Sequence, residues 1–293
     1  MQLLTVTTAD GRTLTVREGG DPDGVPMLVH SGTPGSSMLY PPHVRAAEEA
    51  GVRLFSYDRP GYGGSTRVEG RNVAQCGVDV AAVCDALEIG RFTVWGVSGG
   101  GPHALATAAL LPDRVAAAAV IASVAPYDAE GLDFTEGMGE MNVTAFEAVL
   151  AGEEAHRAQF DRDLADFLAA TPETVVEVLL TLLGPADKAV LSEKLAVFML
   201  ESSRAGIIPS SDGWFDDDVV VVEPWGFDLD SISVPLLYWH GEQDKFVPFS
   251  HGLWLAAHIP WVEARLTADD GHLTILEQRY GDVQGWLLER FDD

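Results

Sequence analysis

Cysteine is nearly missing from this chain: Cys76 and Cys84 are the only two in 293 residues. They stand eight apart in one predicted helix, which argues for two buried thiols rather than a disulfide or a metal site. Basic side chains are scarce as well, 18 Lys plus Arg against 45 Asp plus Glu, for a net charge of −27. That balance argues against nucleic acid and anionic membrane surfaces as partners. No apolar run approaches the ~20 residues that span a bilayer, the longest being "VAAAAVIASVA" from Val115. The opening "MQLLTVTTADGRT" has neither a basic region nor an apolar core of the secretory kind. The expectation is a soluble, cytoplasmic protein. No internal repeat or low-complexity tract is present, and a hydrophobic content of 47% excludes a fibrous or disordered chain.

What is present is ordered in two styles. "LLTVTT" and "RTLTVRE" alternate around Ala9-Asp10-Gly11, a hairpin signature. Short apolar runs then follow at 25–30, 52–58, 92–97, 115–123, 234–241 and 262–267, and these read as strands buried on both faces. Helix-length segments separate most of them, among them 72–87 and 101–111, the latter with Pro102 in its first turn. Such alternation predicts a mostly parallel sheet flanked by helices, with its active site beyond the carboxyl ends of the strands.

The alternation breaks at 126–230, which is predicted to be a helical insertion over that edge, leaving 1–125 and 231–293 as the core domain. "PETVVEVLLTLL" and "KAVLSEKLAVFMLESS" carry its helical pattern, and it ends in the aromatic "GWFDDDVVVVEPWGFD", read as irregular. Between Asp128 and Asp230 stand 23 acidic residues against 5 basic ones. They either attract a cationic substrate or form a solvated face. Met138, Phe198 and Trp225, with Met141 and Phe134, are candidates to line a substrate pocket there, or to be ordinary core of the insertion.

The chemistry centres on "TVWGVSGGGPHA" at 93–104. Ser98 follows an apolar strand and precedes a helix, with glycine two places before and two after, as a nucleophile on a sharp turn requires. The Gly99 N–H, at the start of that helix, points where an oxyanion would form. A dinucleotide loop fits less well, because serine takes the place of its central glycine and no acid follows at the end of the next strand. A serine hydroxyl needs a base and an orienting acid. "LYWHGEQDKFVP" puts Asp244 just beyond a strand, and "VEARLTADDGHLTIL" does the same for His272. Asp269 and Asp270 stand too close in sequence to His272 to reach its inner nitrogen. His240, His103, His251 and His258 read as packed or surface histidines, and His30 as a brace for the loop that follows it.

Together "HSGTPGSS", "SYDRPGYGGST", "GVSGGG", "GEQDKFVP" and "DDGH" resemble, in order and over essentially the whole chain, the motifs of the α/β-hydrolase superfamily. The resemblance implies the α/β-hydrolase fold, with an eight-stranded, mostly parallel sheet and the insertion as a helical cap after strand 6. It implies a second oxyanion N–H at Thr33, although the family's His-Gly is here Ser31-Gly32, with His30 one place earlier. A serine nucleophile argues against the dehalogenases and epoxide hydrolases of this fold, which use aspartate. It leaves esterases, lactonases, thioesterases, prolyl aminopeptidases, carbon–carbon bond hydrolases and cofactor-free haloperoxidases. The expected protein is a serine hydrolase of a small carboxylic ester, lactone or amide, catalysed by Ser98, Asp244 and His272, with Gly99 and Thr33 as the oxyanion hole. No metal or organic cofactor is implied, the expected partner is a small-molecule substrate, and no feature assigns an oligomeric state. A prolyl-aminopeptidase-like enzyme and a slow or non-catalytic ligand sensor are the alternatives.

Overall fold

The computed structural model describes residues 1–291. Strands β1 (Gln2–Thr7) and β2 (Thr13–Gly20) pair antiparallel, and their hairpin closes with the Thr8 N–H donating to the Arg12 carbonyl at 2.9 Å. Strands β3 (Val25–His30), β4 (Val52–Tyr57), β5 (Phe92–Val97), β6 (Val115–Ile121), β7 (Leu236–Gly241) and β8 (Glu263–Thr267) continue one sheet in the spatial order β1-β2-β4-β3-β5-β6-β7-β8. Every pairing from β4 across to β8 is parallel, and β2 meets β4 antiparallel. The continuous apolar runs therefore became central strands: every residue of β6 and β7 is buried.

Helices cover both faces, as parallel crossovers demand. They are α1 (Pro41–Glu49), α2 (Gln75–Ala86) and α3 (Gly101–Leu110) before β6, and α10 (Phe249–His258), α11 (His272–Gln278) and α12 (Tyr280–Glu289) after β7. On one face, Ala47 of α1 and Val283, Trp286 and Leu287 of α12 pack on Met27, Leu54, Trp95 and Leu237. On the other, Val80 and Val83 of α2, Leu105 of α3 and Leu255 of α10 pack on Leu28, Phe55, Val94 and Tyr238. Each such aliphatic or aromatic side chain contributes about 1.5–3 kcal/mol by leaving water. Cys76 and Cys84 sit unpaired and buried in α2. Among the described residues no helix is long and apolar enough to cross a membrane.

Six helices lie between β6 and β7: α4 (Glu140–Leu150), α5 (Glu153–Ala169), α6 (Pro172–Leu182), α7 (Pro185–Val190), α8 (Glu193–Ile207) and α9 (Asp212–Val222). One local expectation needs correction. "KAVLSEKLAVFMLESS" is helical and spans two helices: Ser192 has an extended backbone and its hydroxyl accepts from the Leu195 N–H at 3.2 Å, capping α8. "GWFDDDVVVV", read as irregular, is most of α9, although Asp and Val are poor helix formers. Ion pairs from Asp216 to Arg67 and from Asp217 to Arg59 and Arg71 tie it to the core, and such tertiary contacts outweigh propensity. The insertion touches the loops at the carboxyl edge. Ser203 donates to the Pro34 carbonyl at 2.8 Å, and the hydroxyls of Ser202 and Ser36 lie 3.2 Å apart.

Candidate active site

Strand β5 ends at Val97, and Ser98–Gly100 form a single 3₁₀ turn leading directly into α3, whose first turn contains Pro102. Ser98 has φ +53°, a left-handed conformation that side-chain-bearing residues rarely adopt and that costs on the order of 1–3 kcal/mol. The surrounding glycines leave room for the turn. A Cβ on Gly96 would overlap the Gly100 carbonyl oxygen and come within 2.9 Å of the Ala104 Cβ, and one on Gly100 would overlap the His30 carbonyl oxygen. The loop after β3 passes close in front. A Cβ on Gly99 would overlap the Thr33 hydroxyl and lie 3.3 Å from the Thr33 backbone nitrogen, so the two backbones pass closely there. The first N–H groups of a helix have no acceptor within it, which leaves that of Gly99 available.

Asp244 lies just past β7 and His272 opens α11 after β8. The His272 Nδ1–H donates to Asp244 Oδ2 at 2.7 Å, while Oδ1 accepts the N–H groups of Phe246 and Val247 at 2.8 and 2.9 Å. With Nδ1 committed, the neutral ring holds its lone pair on Nε2. Burial alone would push the His272 imidazole down, but the Asp244 charge and hydrogen bond, with a further share from Asp187, hold it above its ordinary value. Burial likewise pushes Asp244 up, and His272 and His240 overcome this to hold it well below the usual carboxylate range. His240 is fully buried behind the pair, with Nε2 at 2.9 Å from the Val247 carbonyl and 3.4 Å from Asp244 Oδ2. Asp270 turns elsewhere, to the Thr267 hydroxyl at 2.8 Å and to Arg279.

Ser98 and His272 line one cavity of about 240 Å³, walled by Tyr40, Leu195, Phe198, Met199 and Leu276, with Glu277 the only acidic side chain on its surface among the described residues. Among the described residues neither Ser98 Oγ nor His272 Nε2 has a hydrogen-bond partner, and none is formed between them. No group of three or more His, Cys, Asp or Glu among the described residues could hold a metal ion.

A strained serine between strand and helix and an imidazole held by a buried carboxylate thus line one cavity. A family model described as alpha/beta hydrolase fold matches residues 25–278. The chain belongs to the α/β-hydrolase fold family. It is 30% identical over 258 residues to the non-heme chloroperoxidase of Streptomyces lividans, covering 84% of each chain. It is 29% identical over 253 residues to the bifunctional esterase/perhydrolase of Acinetobacter calcoaceticus, covering 83% of each. Among solved structures, the thermophilic esterase of Thermogutta terrifontis superposes with a TM-score of 0.70 at 20% identity, over 99% of this chain and all of that one (100%).

Within this α/β-hydrolase, not every expected pocket residue reaches the cavity. Phe198, on α8, does, its ring 4.7 Å from that of Tyr40. Met138 and Trp225 do not, which corrects the expectation. Trp225 is buried, stacks on Phe227 at 5.9 Å and accepts the Ala74 N–H on its carbonyl; Met138 packs against the same core cluster. They flank the ends of the segment between β6 and β7, whereas α8, the fifth of its six helices, faces the cavity. Of the other two, Phe134 is buried against the His251 ring and Met141 is exposed. His30 ties β3 to α3 through Thr107 Oγ1 at 3.0 Å, on the side of the sheet away from the cavity.

Three further residues hold the site of this α/β-hydrolase together. Arg59, inside the quoted "SYDRPGYGGST", donates to the Ser31 carbonyl at 2.6 Å, the Gly32 carbonyl at 3.2 Å and Thr33 Oγ1 at 3.0 Å, pinning the loop in front of Ser98. Asp217 of α9 closes that network by accepting from Arg59, Arg71, Tyr62 and Thr33. In the sequence it is the middle of three consecutive aspartates, Asp216 to Asp218, and nothing local sets it apart from its neighbours. Asp187 of α7 accepts the His272 N–H at 2.8 Å. Asp216 and Asp217, already paired with arginines, are spent as attractors of a cationic substrate.

Proposed function

We propose that the chain is a serine hydrolase acting on a small carboxylic ester, lactone or amide, with the inserted helices as a cap over the site. The observation that carries this reading is the His272–Asp244 hydrogen bond at 2.7 Å facing a cavity that also holds Ser98 on its strained turn. In this reading Ser98 Oγ attacks the substrate carbonyl and His272 Nε2 takes its proton. Asp244 fixes the tautomer and stabilises the imidazolium that forms. The Gly99 and Thr33 N–H groups receive the oxyanion, preorganised by the helix start and by the Arg59 clamp. The proton passes from His272 to the leaving group, and water, activated by the same imidazole, cleaves the acyl-enzyme. A cavity of about 240 Å³ with mostly apolar walls suits a short acyl chain.

The relatives favour a second outcome for the same intermediate. Two of them are named for perhydrolase and chloroperoxidase activity. Hydrogen peroxide attacking the acyl-enzyme in place of water would give a peracid and regenerate Ser98. The test is hydrolysis of p-nitrophenyl esters of graded chain length, with and without peroxide, beside fluorophosphonate labelling. Wild type should turn over and be labelled, and Ser98→Ala should do neither while melting as wild type. Wild-type protein inert in both assays would sink the reading.

A further inference from the structure

We infer that Asp187, on the inserted helix α7, is a positioning residue for His272, so that the insertion sets the geometry of the base; this rests on the reading of His272 as that base. Helix α11 begins at His272, and its first N–H groups have no acceptor within the helix. Asp187 supplies one from outside. Its Oδ2 accepts the His272 N–H at 2.8 Å; its Oδ1 accepts the Leu273 N–H at 2.8 Å, the Thr274 N–H at 2.9 Å and the Thr274 hydroxyl at 2.8 Å. The carboxylate is wholly buried, and a Cβ on Gly271 would fall 2.5 Å from its atoms, so glycine there makes the close approach possible.

An ordinary N-cap satisfies one or two of these N–H groups from the residue just before the helix. Here the cap comes from a separate element 85 residues away and takes three, starting with the His272 N–H. The same helix grips the neighbouring loop: the Ala186 N–H donates to Gln243 Oε1 at 3.1 Å, and Gln243 Nε2 donates to the Ala268 carbonyl at 3.2 Å. Gln243 directly precedes Asp244. Acid and base thus sit on two loops spanned by one short helix. The charged and titratable groups around His272 are Asp244 beyond β7, His240 behind it on β7, Asp187 on α7 and Glu277 on α11 itself. The Asp187 charge adds to that of Asp244 in favouring the protonated ring.

Asp187→Asn can keep the three Oδ1 bonds while an amide NH₂ replaces Oδ2 opposite the His272 N–H. Ester hydrolysis should lose roughly 10–100-fold in kcat with KM little changed, the usual penalty for a displaced catalytic group. The acid limb of kcat/KM should move to lower pH. A second readout needs no turnover: in a Ser98→Ala background, the NMR titration midpoint of His272 should fall when Asp187→Asn is added. Thr274→Val removes one of the four bonds and should shift kcat and the acid limb in the same directions by less, which serves if Asp187→Asn does not fold. A folded Asp187→Asn protein with wild-type kcat and an unmoved His272 midpoint overturns the proposal, and so does failure of both variants to fold, which would make the contact purely structural. His272→Ala that still turns over would overturn the assignment of the base instead, leaving the midpoint shift standing.

Discussion

Asparagine in place of Asp217 removes one negative charge from a site built around it. Asp217 Oδ2 accepts from Arg59 Nη2 at 2.6 Å, Arg59 Nε at 3.2 Å, Tyr62 Oη at 2.8 Å and Thr33 Oγ1 at 2.9 Å, while Oδ1 pairs with Arg71. All three charged side chains are 2–3% exposed, so the variant leaves two guanidinium groups buried without their counter-charge. Breaking a buried pair in this way costs about 3–5 kcal/mol. An unfolding entropy of about 2.1 cal/mol/K per residue over 293 residues converts that into a melting temperature lower by about 5–8 °C. The exposed pair Asp85–Arg114, with Asp85 72% exposed, is the comparison, and Asp85→Asn should cost less than about 1 kcal/mol.

The pH dependence of Asp217→Asn follows with a definite sign. Burial alone would raise the Asp217 carboxyl, but Arg59 and Arg71 override it and hold the group far below the usual carboxylate range. A depressed folded value contributes stability that is complete above the unfolded value of about 3.9 and is lost as pH falls toward the folded one. The gap in melting temperature between wild type and Asp217→Asn should therefore be full at neutral pH and begin to narrow as pH falls below about 3.9. Thermal melts followed by circular dichroism at neutral pH and near pH 3 provide the assay. A loss below about 1 °C at neutral pH, or a gap that widens in acid, would refute the reasoning.

The raised His272 value predicts that kcat/KM falls as pH drops through a point above the ordinary ~6.5, since the protonated ring cannot accept the serine proton; a flat profile from pH 5 to 9 would contradict it. Its stability contribution has the opposite sense, present below about 6.5 and lost as pH rises through the folded value. Phe198→Ala, by opening the cavity wall beside Tyr40, should shift the preferred p-nitrophenyl ester toward longer acyl chains, read from kcat/KM across the series. Burial pushes both Cys76 and Cys84 up to about 12, so neither should react with a thiol reagent at pH 8 until denaturant is added.

The candidate site was readable where its signals are local. Ser98, Asp244 and His272 each stand just past a strand end, and an apolar run followed by a turn and a helix marks such a position from adjacent residues alone. Helix α9 is not legible locally for the converse reason: its acids and valines oppose a helix, and the arginines that compensate lie far away in the chain. Phe198 could not be told from Met138 or Trp225, because an aromatic on an amphipathic segment looks the same whether it meets solvent, core or cavity.

Read alone, the sequence determines the alternation of strands and helices and offers three candidate polar groups just past strand ends, since hydrophobic period and turn chemistry act over a few residues. Only the tertiary structure decides what holds those groups: Arg59 to Asp217 across 158 residues and Asp187 to His272 across 85. Burying a charge is costly unless a partner meets it, and which distant partner does so is settled by how the inserted helices pack onto the sheet, not by spacing along the chain.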